Sequence, residues 1–454
     1  MDNKDSKAQD PGTVDFNSTT TIVISEKTGH YEPSQHRDSK HATSNFGAAA
    51  HLIKASLGSG ILAMPAAVKN GGLLFGGIGV IVIGIVCSHC VHILVRSSQV
   101  LCRKTRSPHL DYPETAAAAF EFGPKPLRRF SGFVRSLVSC ALVATQVGVT
   151  CTYVVLIAGG IKQLGNYYFH VNVDLRLYIA IIIPVLVFFG QIRHLKMLVP
   201  FSLLANAFMS VSFAMILWQL CQKFKPLDEL HYIADWDKIP KFFATVIFAI
   251  EGIGTVMSIE NSMSRPQQFL GCPNVLNVSM TVVIALYAAM GILGYLNYGE
   301  TAEGSISNNL PIETAFGQTV KILISLAIAF TYGLQFFVPL EIISNAVKQK
   351  LSHKYQCLGE TGVRVCMVML TVIVAVAVPT LEPFISLVGA VFFSFLGVCI
   401  PAIVETVSCW DGHLGFGYWR IWKNVVLVLF SMLALSTGTW VSVLDIIDQY
   451  TKTA

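Results

Sequence analysis

Residues 51–65 read HLIKASLGSGILAMP. This stretch lies inside an apolar segment, residues 46–70, that is long enough to cross a bilayer as a helix. Gly58-Ser59-Gly60 interrupts the segment, and each glycine in a helix interior is unfavourable by about 1 kcal/mol relative to alanine. Two glycines within three residues at this depth predict that the helix opens there, with its free backbone groups facing a cavity.

The composition of the whole chain also indicates a membrane protein. Of its 454 residues 53% are hydrophobic and only 13% charged, whereas soluble domains contain about 25% charged residues. Long apolar runs without charged residues predict an all-α polytopic membrane protein with eleven transmembrane helices, because a backbone in lipid must satisfy its own hydrogen bonds. The predicted spans are 46–69, 71–97, 131–161, 177–193, 195–222, 241–261, 274–298, 318–343, 363–380, 382–406 and 420–446.

A second glycine break lies five spans after the first. The sixth span, residues 241–261, reads KFFATVIFAIEGIGTVMSIEN and is interrupted by Glu251-Gly252-Ile253-Gly254. Spans one to five and six to ten form two halves of similar length, which insert with opposite orientation because each half has an odd number of spans. Matching breaks in two inverted halves point to a transport site. The alternative is that these glycines only permit close helix packing.

Charged residues predict the topology and the limits of the transporter domain. Residues 1–44 are polar and are expected to form a disordered cytosolic tail, followed by a transmembrane domain over residues 45–450. With the N-terminus in the cytosol, the inside loops hold 16 Lys and Arg residues and the other side 9. This bias favours a cytosolic N-terminus and an external C-terminus. A multi-pass location in the plasma membrane or the lysosomal or endosomal membrane is expected.

Other classes of function find little support in the sequence. Cys87, Cys90 and His92 have a metal-like spacing, but they lie in an uncharged membrane segment without a second ligand pair, so neither a metal nor any other cofactor is expected. The sequence lacks a nucleophile–base arrangement, which argues against an enzyme. The net charge of +5 follows the membrane topology and does not indicate nucleic-acid binding.

Three motifs together resemble proton-coupled amino acid transporters of the amino acid/auxin permease group. The stretch from His51 to Gly72 is similar to the first helix of that family, and Phe248–Met263 to its sixth. Thr331–Pro339, which reads TYGLQFFVP, is similar to its eighth. The resemblance covers residues 45 to about 445. It implies a LeuT-type fold of five plus five inverted helices with helices 1 and 6 broken, proton coupling and small neutral amino acids as substrates.

Two ionisable groups near the breaks are candidates for proton coupling, because such groups at membrane depth are functional by default. His51 lies two turns before the first break, and histidine changes its charge near neutral pH. The resemblance makes this histidine the expected proton site. Glu251 lies in the second break, where a carboxylate removed from water can cycle between charged and neutral forms. The alternatives are a neutral histidine bonded to a carbonyl and a carboxylate that caps a helix end.

These observations predict proton-coupled symport of small neutral amino acids, such as glycine, alanine and proline, by alternating access. The substrate carboxylate would meet N–H groups near Ser59 and Gly60, and its ammonium would meet carbonyls around Ile250 to Ile253. Two alternatives stay open: a sodium-coupled symporter that uses hydroxyls such as that of Thr331, and an amino acid sensor that does not transport. The predicted substrate-binding residues are Gly58, Ser59, Gly60, Ile250, Glu251, Gly252, Ile253, Gly254 and Tyr332.

Overall fold

A computed structural model describes residues 32–33, 37, 43–193, 195–222, 224–250, 252–271, 274–348, 356–410 and 416–453. These residues are almost entirely helical. The helices, in chain order, are α1 (Asn45–Ser56), α2 (Met64–Gly71), α3 (Leu73–Thr105), α4 (Tyr112–Glu121), α5 (Ser131–Phe169), α6 (Leu175–Gly190), α7 (Leu195–Leu220), α8 (Ile239–Ile250), α9 (Ile253–Asn261), α10 (Gln267–Leu270), α11 (Val275–Tyr298), α12 (Ile306–Asn309), α13 (Ala315–Lys348), α14 (Gln356–Ala377), α15 (Leu381–Val388), α16 (Ile400–Ser408) and α17 (Trp419–Thr453).

Each predicted span coincides with helical structure. Helix length alone, however, does not establish that all eleven spans cross the membrane. Within the described ranges, nine helices are long and apolar enough to cross, and the bent pair α1 and α2 supplies a tenth. The remaining segment, α6, has 16 residues and is about 24 Å long, shorter than the roughly 30 Å hydrocarbon core. The count of eleven therefore stays a prediction.

A glycine with positive φ joins the first span to the second. Gly72 has φ +84° and ψ +164°, in a region that L side chains rarely adopt. A Cβ at this position would lie 2.7 Å from backbone atoms of Ile233 and Ala234. The loop between α7 and α8 reaches this close because the Leu73 N–H donates to the His231 carbonyl at 2.8 Å. Gly72 therefore allows a sharp helix reversal beneath a closely packed loop.

The helices form two groups, which correspond in the two halves of the chain. The first and sixth spans (α1 with α2, and α8 with α9) pack with α3 and α11. The third, fourth, eighth and ninth spans (α5, α6, α13 and α14) pack against one another, and α7 lies against α13. Each half therefore contributes a broken helix and its neighbour to the first group, and two continuous helices to the second, which we call the scaffold.

The tenth span contacts the sixth closely. Between α15 and α16 the helix widens into π-helical stretches, Gly389–Phe393 and Phe395–Cys399. A Cβ at Gly389 would meet the carbonyl of Ala244 on α8, so only glycine allows this approach. Such π-helical stretches occur frequently at functional sites. The first half of the sixth span is thus held between the first span and the tenth.

Candidate substrate site at the two helix breaks

The first span is broken at Gly58. α1 ends at Ser56, and a 3₁₀ helix, Ser59–Ala63, precedes α2; the two halves are bent by 45°. Gly58 is extended, with φ −84° and ψ −164°, so its backbone does not require glycine. Ser59 and Gly60 are buried, so the open backbone faces protein instead of lipid. The predicted break in this span is confirmed.

The sixth span is broken in the corresponding place. α8 ends at Ile250 and α9 begins at Ile253, with Gly252 as the N-cap residue of α9. The Gly252 carbonyl accepts from the Thr255 N–H and the Thr255 hydroxyl, both at 3.0 Å. Glu251, predicted to bind the proton or the substrate ammonium, lies outside the described residues.

The two breaks contact each other directly. A Cβ at Gly60 would lie 2.7 Å from Cα of Ala249, so only a glycine lets the first span approach α8 this closely. A Cβ at Gly252 would lie 3.2 Å from the Ser56 hydroxyl, whereas none of the described heavy atoms lies within 4 Å of a Cβ at Gly58. The packing explanation therefore holds for Gly60, and Gly58 borders open space.

Two buried tyrosines bind the polar groups of the first break. Tyr287 of α11 donates its hydroxyl to the Ser56 carbonyl at 2.6 Å and also contacts the backbone of Gly58. The hydroxyl of Tyr153 on α5 is hydrogen-bonded with the side chains of Ser59 and Gln335. The break is therefore connected to the scaffold through Tyr153 and to the seventh span through Tyr287.

Two buried polar atoms beside the breaks have no hydrogen-bond partner in the described part of the chain. They are the Ser56 hydroxyl oxygen and the side-chain carbonyl oxygen of Gln146 on α5. A Cβ at Gly254 would lie 3.9 Å from the Gln146 amide nitrogen, so both atoms border the second break. Buried polar groups are nearly always satisfied, and exceptions require an explanation such as a missing ligand. The sequence prediction missed both residues, although Gln146 is an amide within an apolar span.

His51 lies on the exposed face of α1. Ala48, Leu52 and Ser56 form the buried face of this helix, whereas His51 and Lys54 are exposed. Ionisable side chains within membrane spans face a bundle interior or a water-filled cavity, and not lipid. We therefore interpret this face as the wall of an aqueous path. Gly58 lies two residues beyond the end of this helix.

Tyr332 lies elsewhere in the scaffold. Its side chain is fully buried, its hydroxyl is 3.1 Å from the Thr371 hydroxyl of α14, and its ring stacks on Phe336. These contacts give Tyr332 a packing role between the eighth and ninth spans. Tyr153 of α5, in contrast, is hydrogen-bonded to Ser59 of the first break. Ile250 and Ile253 are buried on either side of the second break.

Ion pairs hold both ends of the broken helices. At the end of α2, Lys69 lies 3.4 Å from the Glu382 carboxylate of α15, and Asn70 donates to the same carboxylate at 2.8 Å. Lys69 and Glu382 border a cavity of about 660 Å³. At the end of α9, Arg37 pairs with buried Glu260 at 3.2 Å. Part of the predicted tail, including Arg37, therefore contacts the transporter domain.

Comparison with known proteins agrees with this geometry. The family described as "Transmembrane amino acid transporter protein" matches residues 41–444. The Drosophila melanogaster "Proton-coupled amino acid transporter-like protein pathetic" is 39% identical over 93% of this chain and 89% of its own length. The Caenorhabditis elegans "Probable amino acid transporter skat-1" is 24% identical over 88% of this chain and 90% of its own.

Solved transporter structures share the fold. Mhp1 in its inward-facing conformation has a TM-score of 0.55 at 13% identity, covering 91% of this chain and 92% of its own. MhsT in complex with L-phenylalanine has a TM-score of 0.50 at 14% identity, covering 89% and 100%. These likenesses confirm the LeuT-type, all-α membrane fold, and the relatives are transporters and not enzymes. The chain belongs to the family of transmembrane amino acid transporter proteins.

Proposed function

We propose that this transporter carries small neutral amino acids together with protons by alternating access. The observation that carries the proposal is the pair of facing breaks, bordered by the Ser56 hydroxyl and the Gln146 carbonyl, which have no hydrogen-bond partner among the described residues. The end of α8 offers free carbonyls to an ammonium group, and the start of the Ser59–Ala63 helix offers free N–H groups to a carboxylate. An amino acid zwitterion carries both groups on one carbon.

The lining of the site favours a small, uncharged side chain. Among the described residues at the breaks, the polar side-chain groups are the hydroxyls of Ser56, Ser59, Tyr153, Thr255 and Tyr287 and the amides of Gln146 and Gln335. A charged substrate side chain would lose its hydration here without an opposite charge from these residues. Gly60 and Ala249 are in contact, which restricts the space between the two helices. Glycine, alanine and proline are therefore the proposed substrates.

Two observations support a proton as the coupling ion. The Drosophila relative, 39% identical, is named a proton-coupled amino acid transporter-like protein. In addition, His51 and Lys54 are exposed on α1, the helix that ends two residues before Gly58. In the proposed cycle His51, with Glu251, exchanges protons with the aqueous path. The first and sixth spans then move against the scaffold of α5, α6, α13 and α14 once proton and substrate are bound.

Sodium coupling is the second candidate on the same fold. It depends on hydroxyls of the eighth span such as that of Thr331, which donates its proton to the Ala327 carbonyl at 2.8 Å and keeps its oxygen lone pairs for a cation. An amino acid sensor without transport would use the same binding site. Flux measurements separate all three functions.

The decisive experiment is uptake into proteoliposomes with the purified full-length chain. Labelled glycine, alanine, proline, leucine and arginine are supplied with and without an imposed pH gradient, and sodium is replaced by choline in parallel. We expect saturable uptake of glycine, alanine and proline that depends on the pH gradient and survives sodium replacement. Uptake restricted to arginine would contradict the substrate proposal. Loss of uptake in choline would establish sodium coupling, and binding without flux would establish a sensor.

A further inference from the structure

One lysine of the scaffold is buried almost completely. Lys321 lies in the second turn of α13, which begins at Ala315, and only 2% of Lys321 is exposed. The bias of Lys and Arg assigns this end of α13 to the external side. Lysines near the end of a membrane helix usually extend to water, because an ammonium that loses its hydration needs polar partners. The cycle proposed above gives Lys321 no role, so its burial requires another explanation.

The ammonium of Lys321 connects the scaffold to α12. Its Nζ donates to the Gln163 Oε1 of α5 at 2.6 Å and to the Ser307 carbonyl of α12 at 2.5 Å. The Gln163 Nε2 donates in turn to the Asn308 carbonyl of α12 at 3.4 Å. Both acceptors of the ammonium are neutral oxygens, and hydrogen bonds with one charged partner are about twice as strong as neutral ones. The polar attachment of α12 to α5 and α13 therefore centres on Lys321.

The acceptor on α12 suits a cation. α12 is a single turn, Ile306–Asn309, and the last carbonyls of a helix have no partner within it. Lysine side chains commonly donate to such carbonyls at helix ends. The carboxylates of Glu303 and Glu313, in the same loop, attract the ammonium at longer range. Lys321 therefore favours the position of this loop against the scaffold.

Close helix packing supports the scaffold side of the contact. A Cβ at Gly160, one turn before Gln163 on α5, would overlap the Ser325 hydroxyl, one turn after Lys321 on α13. Gly160 therefore lets α5 and α13 approach closely beside the ammonium, as small residues do between membrane helices. Lys321 and Gln163 thus extend from one packed seam, and α12 is the element attached to it.

The same short helix borders the first break. α12 contacts the 3₁₀ helix Ser59–Ala63 and α2, in addition to α5 and α13. Ser305, Ile306 and Leu310 are almost fully buried. Asn308 also lines the 660 Å³ cavity. Residues 305–310, which we call the lid, therefore join the scaffold to the broken part of the first span.

We propose that Lys321 is a positioning residue for transport, whose ammonium holds the lid on the scaffold so that the lid covers the first break from the external side. In the closed arrangement Gln163 and the Ser307 carbonyl replace water around the ammonium. When the lid moves away, water hydrates the ammonium instead, so both arrangements satisfy Lys321. The proposal rests on the substrate site proposed above at the two breaks.

External labelling of a cysteine in the lid tests the proposal. Ile306 is fully buried, so Ile306→Cys should react with an impermeant maleimide only when the lid moves away. The full-length protein is reconstituted in proteoliposomes without amino acid, with its exposed native cysteines replaced. Lys321→Met keeps the apolar stem of the side chain but removes the ammonium. It should raise the labelling rate about tenfold, the effect of losing one hydrogen bond to a charged group.

Two further variants test whether Lys321 acts through its contact with Gln163 and the lid. Gln163→Leu removes one acceptor and should also accelerate labelling. The double variant should label no faster than Lys321→Met alone, because both changes break the same contact. Lys238→Met removes a lysine that pairs with Asp235 in the loop between α7 and α8, and as the matched control it should leave the rate unchanged. Equal labelling rates with Lys321 and with Lys321→Met would overturn the proposal, as would independent effects of Lys321→Met and Gln163→Leu.

Uptake kinetics separate a positioning role from a structural one. Lys321→Met should raise the KM for uptake more than it lowers the maximal rate, because bound amino acid returns more easily to the outside. A lower unfolding temperature with unchanged KM and labelling rate would show a structural role and overturn the proposal. Faster labelling of Lys321→Met in a protein that takes up none of glycine, alanine and proline would instead reject the proposed substrates, and it would still support the contact between Lys321 and the lid.

Discussion

Two glycines that look alike in the sequence have different roles at the first break. Gly58 and Gly60 are two positions apart, yet a Cβ at Gly60 meets backbone of α8 and a Cβ at Gly58 meets open space. Gly60 is therefore required by packing. Gly58 has an extended backbone that any residue adopts, so its value lies in the space that it leaves free.

This difference predicts opposite outcomes for two alanine substitutions. Gly60→Ala should destabilise the protein by about 1–3 kcal/mol, because the added methyl group overpacks the contact with Ala249. Gly58→Ala should change stability by less than about 0.5 kcal/mol but reduce uptake, because the methyl group would occupy the space proposed for the substrate. Thermal unfolding and uptake of glycine by the two variants test this. Normal uptake by Gly58→Ala would remove Gly58 from the substrate site.

His51 supplies a prediction about coupling. His51→Ala should reach the membrane normally and lose uptake driven by an acidic outside, since it removes the proposed proton acceptor. Exchange of substrate at equal pH should survive better, because exchange does not require release of the proton. His109→Ala, an exposed histidine in the loop before α4, is the matched control. Unchanged pH-driven accumulation by His51→Ala would move the proton site elsewhere, with Glu251 as the next candidate.

At the scale of helices, the uncharged apolar runs predicted the spans and the glycine spacing predicted the two breaks. The side chains that surround the breaks were predicted only in part. Both breaks were predictable because glycine weakens a helix wherever it occurs. The partners Tyr287 and Gln146 were not, because they reach the breaks from α11 and α5, and sequence spacing does not show which face of a span points inward. The hydroxyl of Tyr332 contacts Thr371 of α14, and a role of Tyr332 in substrate binding stays a prediction.

The end of α2 is tied to two other elements. Lys69 contacts Glu382 at the start of α15 and donates to the Ala302 carbonyl at 2.6 Å, and Asn70 also binds Glu382. Lys69 and Glu382 are each mostly buried, with 16% and 22% of the side chain exposed. Lys69, Ala302 and Glu382 line the 660 Å³ cavity. We expect these contacts to separate when substrate enters the breaks from this side.

Glu382→Gln should therefore favour the state that is open at this end. Loss of the charged contact is worth about 1 kcal/mol, which changes the ratio of two states roughly fivefold. Distances between spin labels at Glu303 and Asp448, on opposite sides of the cavity, should shift toward longer values. Asp235→Asn removes the exposed Lys238–Asp235 pair on the neighbouring loop and should leave the distances unchanged. Equal distributions in Glu382→Gln and the native protein would show that this contact does not control opening.

At the scale of the molecule, two inverted halves explain why the breaks meet. Each half starts with a broken span and continues with scaffold helices, so opposite insertion brings Gly60 against Ala249 in the interior. The excess of Lys and Arg on one side separately predicts that the two termini lie on opposite sides of the membrane, which requires an odd number of crossings. Both arguments need five membrane crossings in the first half, and α6 is the crossing that helix length alone does not establish.

The membrane topology therefore depends on α6, and it supplies the last prediction. Single cysteines at Asn172 and Arg193, on either side of α6, should react with an impermeant maleimide from opposite faces of the membrane, in a background where exposed native cysteines are replaced. A tag at the N-terminus should accordingly be cytosolic and a tag after Ala454 external. We expect α6 to cross because the part of this helix from Leu177 to Gly190 carries no charge. A span shorter than the hydrocarbon core is tolerated because the bilayer thins locally or flanking side chains reach the interface. Labelling of Asn172 and Arg193 from the same face would reduce the first half to four crossings, remove the inverted orientation of the halves and place both termini on one side.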